Sequence, residues 1–107
     1  MTTFDEREEG FEGKFAHDEA LEFKATARRN RMLGLWAGGL MGLEKGNLDD
    51  YAAAIVRADV TAANDADVLR RVSRDLEGAG IKVSEGQVMA KMDEFLAVAR
   101  GQIQAGE

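Results

Sequence analysis

No proline occurs anywhere in the 107 residues, and this absence constrains the fold more than any other single feature. Proline removes a backbone donor and blocks the helical hydrogen bond to the residue four back, so a chain without it meets no obligatory helix break. What interrupts the helical pattern instead is glycine, 12 residues in all, placed where one apolar periodicity stops and the next begins. Helices separated by glycine-bearing turns are therefore expected. Hydrophobic residues at 45% and charged residues at 32% give a globular balance. At this length folding hides roughly two-thirds of the surface exposed by the unfolded chain, enough for one domain with one modest core.

The clearest element lies near the end of the chain. Val83, Ser84, Gln87 and Val88 combine an N-cap serine, a glutamine three residues later and a valine staple, so a helix starts at Ser84. Its apolar residues Val88, Met92, Phe95, Leu96, Ala99 and Ile103 recur at steps of three and four and predict one buried stripe. Before it, Asp67 to Ala79 carries Val68, Leu69, Val72 and Leu76 on one face, and Gly80 followed by Ile81 suits a left-handed cap in which Ile81 touches Leu76. Upstream, Asn47 to Asp50 is read as the cap of a helix burying Leu48, Tyr51, Ala52, Ile55, Val56 and Val60, with Asn64 and Asp65 marking the break after it. From Asp18 onward, Leu21, Ala25, Met32, Leu35, Trp36 and Leu40 trace a longer helix that the glycines around Gly42 and Gly46 interrupt. Four helices with short connections predict an all-α four-helix bundle over residues 18–107.

Residues 1–17 read differently. Asp5, Glu6, Glu8, Glu9 and Glu12 crowd a stretch broken by Gly10 and Gly13, and its large apolar groups are Phe4, Phe11 and Phe15. A Thr3–Glu6 capping box and an acidic first turn favour a helix, whereas each interior glycine costs about 1 kcal/mol relative to alanine. The expectation is a mobile, partly helical segment, disordered or frayed when free and helical on a partner. In a helix Phe4, Phe11 and Phe15 share one stripe, either to fill a partner's groove or to dock on the chain's own bundle.

Charge and composition exclude several classes. A net charge of −6 repels nucleic-acid phosphates and anionic headgroups. Zero cysteines remove disulfide, thiolate-metal and thiol-nucleophile chemistry. The start lacks a secretory pattern and no apolar run approaches the roughly 20 residues of a membrane span, which predicts a cytoplasmic protein. No phosphate-cradling glycine loop, paired histidines or nucleophile elbow occurs, and the glycine-rich Leu33 to Gly39 lies inside a helical pattern, where close helix packing explains it better. No enzymatic role, metal or cofactor is predicted. Asp65 and Asp67 could at most recruit a hard cation weakly. Lys24, Arg28, Arg29 and Arg31 form the one basic cluster, either a contact surface for a carboxylate- or phosphate-bearing partner or a solvated face paired with Asp18, Glu19 and Glu22. His17, the single histidine, is read as an exposed boundary residue or a pH sensor.

Thr3 to Glu8, Lys14 to Asp18, Phe23 to Ala25, Ala27 to Asn30 and Leu33 to Ala37 together resemble the zeta-subunit family, the ATPase inhibitors of alphaproteobacterial F-type ATP synthases. The resemblance continues through Tyr51-Ala52, Ala58-Asp59, Asp67-Val68, Asp75-Leu76 and Lys91-Met92, so it covers essentially the whole chain. It implies a four-helix bundle whose mobile N-terminal segment inserts between catalytic and rotor subunits of the ATP synthase head and blocks ATP hydrolysis, with the chain held peripherally at the inner membrane through that complex. The contacts it implies are Phe4, Asp5, Arg7, Glu8, Phe11, Lys14 and Phe15, with Arg28 and Arg29 supporting the docked bundle. Gly10 and Gly13 depart from the helix-favouring residues such an insertion would prefer, and predict weakened inhibition, because ordering the segment draws on the interface energy. The competing readings are a nucleotide- or ligand-sensing bundle and a non-inhibitory assembly subunit.

Overall fold

Four helices make up the computed structural model: α1 (Thr3–Leu40), α2 (Lys45–Ala62), α3 (Asp65–Gly78) and α4 (Glu85–Gln104). It describes residues 3–62 and 65–106, with side chains described for 19–58 and 65–106. Among the described residues every regular element is a helix, and the chain is an all-α four-helix bundle.

Local chemistry sets the helix ends. α1 and α3 both stop in the same six-residue closure, which needs a left-handed residue one place beyond the cap. Gly42 (φ +83°) supplies it for α1, with Leu43 N donating to Gly38 O at 2.9 Å. Gly80 (φ +77°) supplies it for α3, with Ile81 N donating to Leu76 O at 2.9 Å and Ile81 packed against the core as expected. Ser84 caps α4: its Oγ accepts from Gln87 N at 3.1 Å, and Gln87 Oε1 accepts from Ser84 N at 2.9 Å.

Two starts differ from the expectation. α2 begins at Lys45, ahead of Asn47, because Glu44 O already accepts from the backbone N–H groups of Asn47 and Leu48. α3 begins at Asp65, whose carboxylate lies in the first turn, where the exposed N–H groups favour negative charge. Asn64, read as part of the break, lies outside the described residues, as does the Val60 side chain.

One core receives side chains from all four helices: Leu33 and Ala37 of α1, Ile55 of α2, Val68, Val72 and Leu76 of α3, and Val88 and Met92 of α4. Each fully buried large aliphatic contributes roughly 1.5–3 kcal/mol relative to exposure. The α3 stripe is buried at Val68, Val72 and Leu76, and the α4 stripe at Val88, Met92 and Ala99. α1 departs from its expected stripe. Met32, Leu35 and Trp36 are half-buried and Leu40 is exposed, while the residues sealed inside are Ala25, Arg29, Asn30, Leu33, Gly34, Ala37 and Gly38. Small residues occupy this face because α2 lies directly on it. A β-carbon built on Gly34 would stand 2.6 Å from Ala52 Cα, and one on Gly38 would stand 2.7 Å from Leu48 Cδ1. Leu33 to Gly39 is a packing seam, as its helical context predicts. α1 runs against both α2 and α4, and α3 closes the ring between those two.

Candidate functional site

The residues singled out for partner contact fall in two parts of α1. The side chains of Phe4, Asp5, Arg7, Glu8, Phe11, Lys14 and Phe15 lie outside the described residues, as do those of Thr3, Glu6 and His17 and of Gly10 and Gly13's flanking turn. Their backbone from Thr3 onward belongs to α1, which at 38 residues is nearly twice the length of α4 at 20.

The basic cluster on the second part does not act as one surface. Consecutive residues on a helix point about 100° apart, so Arg29 faces away from the groove that Lys24, Arg28 and Arg31 line together. Arg29 turns inward. Its side chain is 3% exposed, with Nη2 donating to Asp65 Oδ1 at 2.9 Å and both Nε and Nη2 donating to Asn30 Oδ1 at 3.0 and 2.8 Å. This corrects the reading of Arg29 as part of an outward contact surface: it ties α1 to the start of α3. The Arg29 hydrogen bond holds the Asp65 carboxyl below the usual carboxylate range, and Asp65 serves as the ion-pair partner of Arg29. Asn30, also sealed from solvent, leaves its Nδ2 without a hydrogen-bond partner among the described residues.

Arg28 is half-buried and donates from Nη1 to Gln102 Oε1 of α4 at 3.2 Å. Beside it, Arg100 grips Glu22 through Nε (2.6 Å) and Nη2 (2.9 Å), a two-pronged pair joining α4 to α1. That contact lowers the Glu22 pKa and raises that of Arg100. Glu22 was expected to neutralise the neighbouring basic cluster; the structure gives it to Arg100 instead. Lys24 and Arg31 remain exposed, Arg31 lying 3.8 Å from Asp49.

Further along, Tyr51 of α2 donates its hydroxyl to Asp75 Oδ2 of α3 at 2.8 Å, and Arg71 Nε approaches the same oxygen at 3.2 Å. Burial, and then the hydrogen bond to Asp75, push the Tyr51 phenol well above its ordinary value. Lys91 of α4 sits over the rings of Phe95 and Trp36, at 5.6 and 6.0 Å from their centroids. Arg71 with Asp75 and Lys91 with Phe95 are four residues apart on one helix, whereas Arg29 with Asp65, Glu22 with Arg100, Arg28 with Gln102 and Tyr51 with Asp75 are brought together only by the bundle and leave no mark in sequence spacing. No helix among the described residues is long and apolar enough to cross a membrane.

Taken together, the fold and these contacts define a small all-α bundle whose long leading helix is strapped to its neighbours by cross-helix hydrogen bonds and ion pairs. The chain belongs to the ATPase inhibitor subunit zeta family, whose sequence profile matches residues 1–102. A solved solution NMR structure of a protein is similar to it, with a TM-score of 0.69 and 38% sequence identity, covering 81% of this chain and 99% of its own. No curated protein matches. Membership in an inhibitor-subunit family implies a non-catalytic regulator that associates with ATP synthase.

Proposed function

We propose that this chain inhibits ATP hydrolysis by an F-type ATP synthase by inserting the leading part of α1 between catalytic and rotor subunits, while the bundle holds that part in place. The observation that carries this reading is the length of α1 relative to the bundle. Glu22 already meets Arg100, four residues from the end of α4 at Gln104, whereas the turns of α1 before Glu22 reach back to Thr3. At about 1.5 Å per residue they amount to roughly 30 Å of helix. Phe4, Phe11 and Phe15 form the apolar stripe of that helix, and Asp5, Arg7, Glu8 and Lys14 supply its charged flanks. Arg28 and Arg29 act behind it, as positioning residues that fasten α1 to α4 and α3. Gly10 and Gly13 raise the cost of ordering the leading turns and so limit potency.

The test is to add the pure protein to ATP synthase depleted of this subunit and to follow hydrolysis and synthesis together. Hydrolysis should fall much more than synthesis. Deleting residues 1–17 should abolish the inhibition, while circular dichroism still shows a cooperatively melting helical bundle. Equal loss of both activities, or full inhibition by the shortened chain, overturns the reading.

A further inference from the structure

Polar links tie the front of α1 to the bundle, and they gather at the end of α4. Glu22 is the first side chain of α1, among those described, to hydrogen-bond another helix, and Arg100 holds it at both oxygens, through Nε at 2.6 Å and Nη2 at 2.9 Å. Two residues further along α4, Gln102 Oε1 accepts from Arg28 Nη1 at 3.2 Å. Apolar packing is thin at this end. Leu33, the first large side chain that α1 gives the core, comes about three turns after Glu22, and the apolar residues sealed beside these links in sequence are Ala25 and Ala99. Between the two α4 residues stands Gly101, exposed in the helix, where an added β-carbon would meet nothing within 4 Å. Close packing does not require a glycine there, and its effect is to weaken the turn that carries the links.

We propose that the end of α4 is a clasp, with Arg100 as its positioning residue, which fixes the direction in which the leading part of α1 leaves the bundle. The inference rests on the reading above that this part is what inserts. Magnitude separates a clasp from a stabilising contact. An exposed ion pair adds little to the stability of the whole fold, but Glu22 stands at the base of a long arm. From there back to Thr3, α1 rises by roughly 30 Å, so a tilt of about 10° at Glu22 carries the tip by about 5 Å. The two-pronged geometry suits the task, because a planar guanidinium facing both carboxylate oxygens resists tilting better than a single contact does. An arm held in one direction is pre-organised for its site, and freeing it adds an ordering cost to binding. The clasp therefore sets how readily the leading part finds its site, and Gly101 keeps that clasp weaker than the fold allows.

The chain has no cysteine, so spin labels on Glu12→Cys and Lys82→Cys report a single distance, measured in the free full-length protein by pulsed electron paramagnetic resonance. Arg100→Ala should broaden that distance distribution, and about 1 M salt, which screens an exposed pair, should broaden the parent's in the same way. Gly101→Ala should narrow it. With unlabelled protein and subunit-depleted ATP synthase, Arg100→Ala should raise the half-inhibitory concentration about fivefold and leave the inhibition reached at saturation unchanged, whereas Gly101→Ala should lower that concentration. Exchanging the charges, Glu22→Arg together with Arg100→Glu, should restore both the distribution and the inhibition that either change alone impairs. A distribution that Arg100→Ala leaves unchanged overturns the proposal. So does a loss of inhibition that the exchange does not restore, which assigns Arg100 to direct contact with the ATP synthase. If the chain lacking residues 1–17 inhibits as fully as the parent, insertion fails, and the clasp then stands or falls on the distance distributions alone.

Discussion

Gly34 has no side chain because Ala52 of α2 occupies the place where one would go. The β-carbon of an alanine there would lie 2.6 Å from Ala52 Cα, and backbone cannot step aside as a flexible side chain does, so α1 and α2 would have to separate. Overpacking of this kind costs about 1–3 kcal/mol, more than the roughly 1 kcal/mol that alanine gains in helix propensity. Gly34→Ala should therefore lower the melting temperature. Gly39→Ala, five residues on with nothing within 4 Å of the new methyl, should leave it unchanged or raise it by up to about 1 kcal/mol of stability. Opposite signs for the same substitution in one helix isolate packing from propensity. Tyr51 offers a second single-residue test, since it is the one tyrosine in the chain and its phenolate absorbance is free of overlap with other tyrosines. Its folded pKa is raised by burial and by Asp75. Its contribution is thus fully present below the unfolded value near 10 and is lost as pH rises from there towards the folded value. In the folded protein the phenolate signal should be missing at pH values where free tyrosine has ionised, and it should appear together with loss of helix. Tyr51→Phe should lose about 1 kcal/mol at neutral pH and unfold at a higher pH than the parent does, relative to its own neutral stability.

At the scale of the helix, the end of α3 and the start of α4 were legible in the sequence because each is decided within six residues, whereas α3 starts at Asp65, two residues ahead of the expected Asp67. Ser84 and Gln87 satisfy each other's backbone donors without help from the rest of the fold, and Gly80 closes α3 onto Leu76 and Ile81 alone. Ser84→Ala should accordingly cost about 1 kcal/mol, read as a lower urea midpoint with unchanged m-value, because the element frays and the core is untouched. α1 was legible as a helix but not in its orientation. Its periodicity was read from large residues, Met32, Leu35, Trp36 and Leu40, whereas the face pressed against α2 is built from Gly34, Ala37 and Gly38, with Arg29 and Asn30 sealed beside them. Hydrophobic periodicity finds the stripe that needs burial, and it cannot see a stripe chosen for being thin. The same limit hid the polar contacts. Arg29 with Asp65 and Glu22 with Arg100 join residues 36 and 78 positions apart, so no local spacing marks them, and the four neighbouring basic residues of α1 read as one patch although the helix turns Arg29 inward, away from Lys24, Arg28 and Arg31. Glu44, which starts α2, was missed because a backbone carbonyl does the capping and leaves no side-chain signature.

For the molecule as a whole, the question is what holds α1 to the bundle once pH changes the charges. The core on α1, from Leu33 and Ala37, does not titrate. Nearer the leading turns the links are Glu22 to Arg100 and Asp65 to Arg29, and both carboxylates have folded pKa values lowered by those hydrogen bonds. A lowered folded pKa means that the stabilisation is present above the unfolded carboxylate value near 4 and is lost as pH falls through the folded one. Two opposing trends follow on acidification. From neutrality down to the pI near 4.8 the net charge of −6 is neutralised and self-repulsion fades. Below about 4 the stabilisation from both straps declines, and once pH has fallen through their lowered folded pKa values the basic residues are left uncompensated. Glu22 and Arg100 are each half exposed, so their pair contributes no more than about 1 kcal/mol, whereas losing Asp65 strips an anionic partner from a guanidinium that is 3% exposed and costs more. Thermal stability should therefore stay level or rise slightly from pH 7 to 5 and fall steeply below 4. Asp65→Asn should be the less stable protein at pH 7 and should lose less than the parent between pH 5 and 3, with Glu22→Gln showing the same pattern at smaller amplitude. The two curves should converge with the parent at the acid end, because protonation then does to the parent what the substitution did already. Parallel curves at every pH would assign the acid loss to general repulsion among the basic residues and leave the straps no part in it.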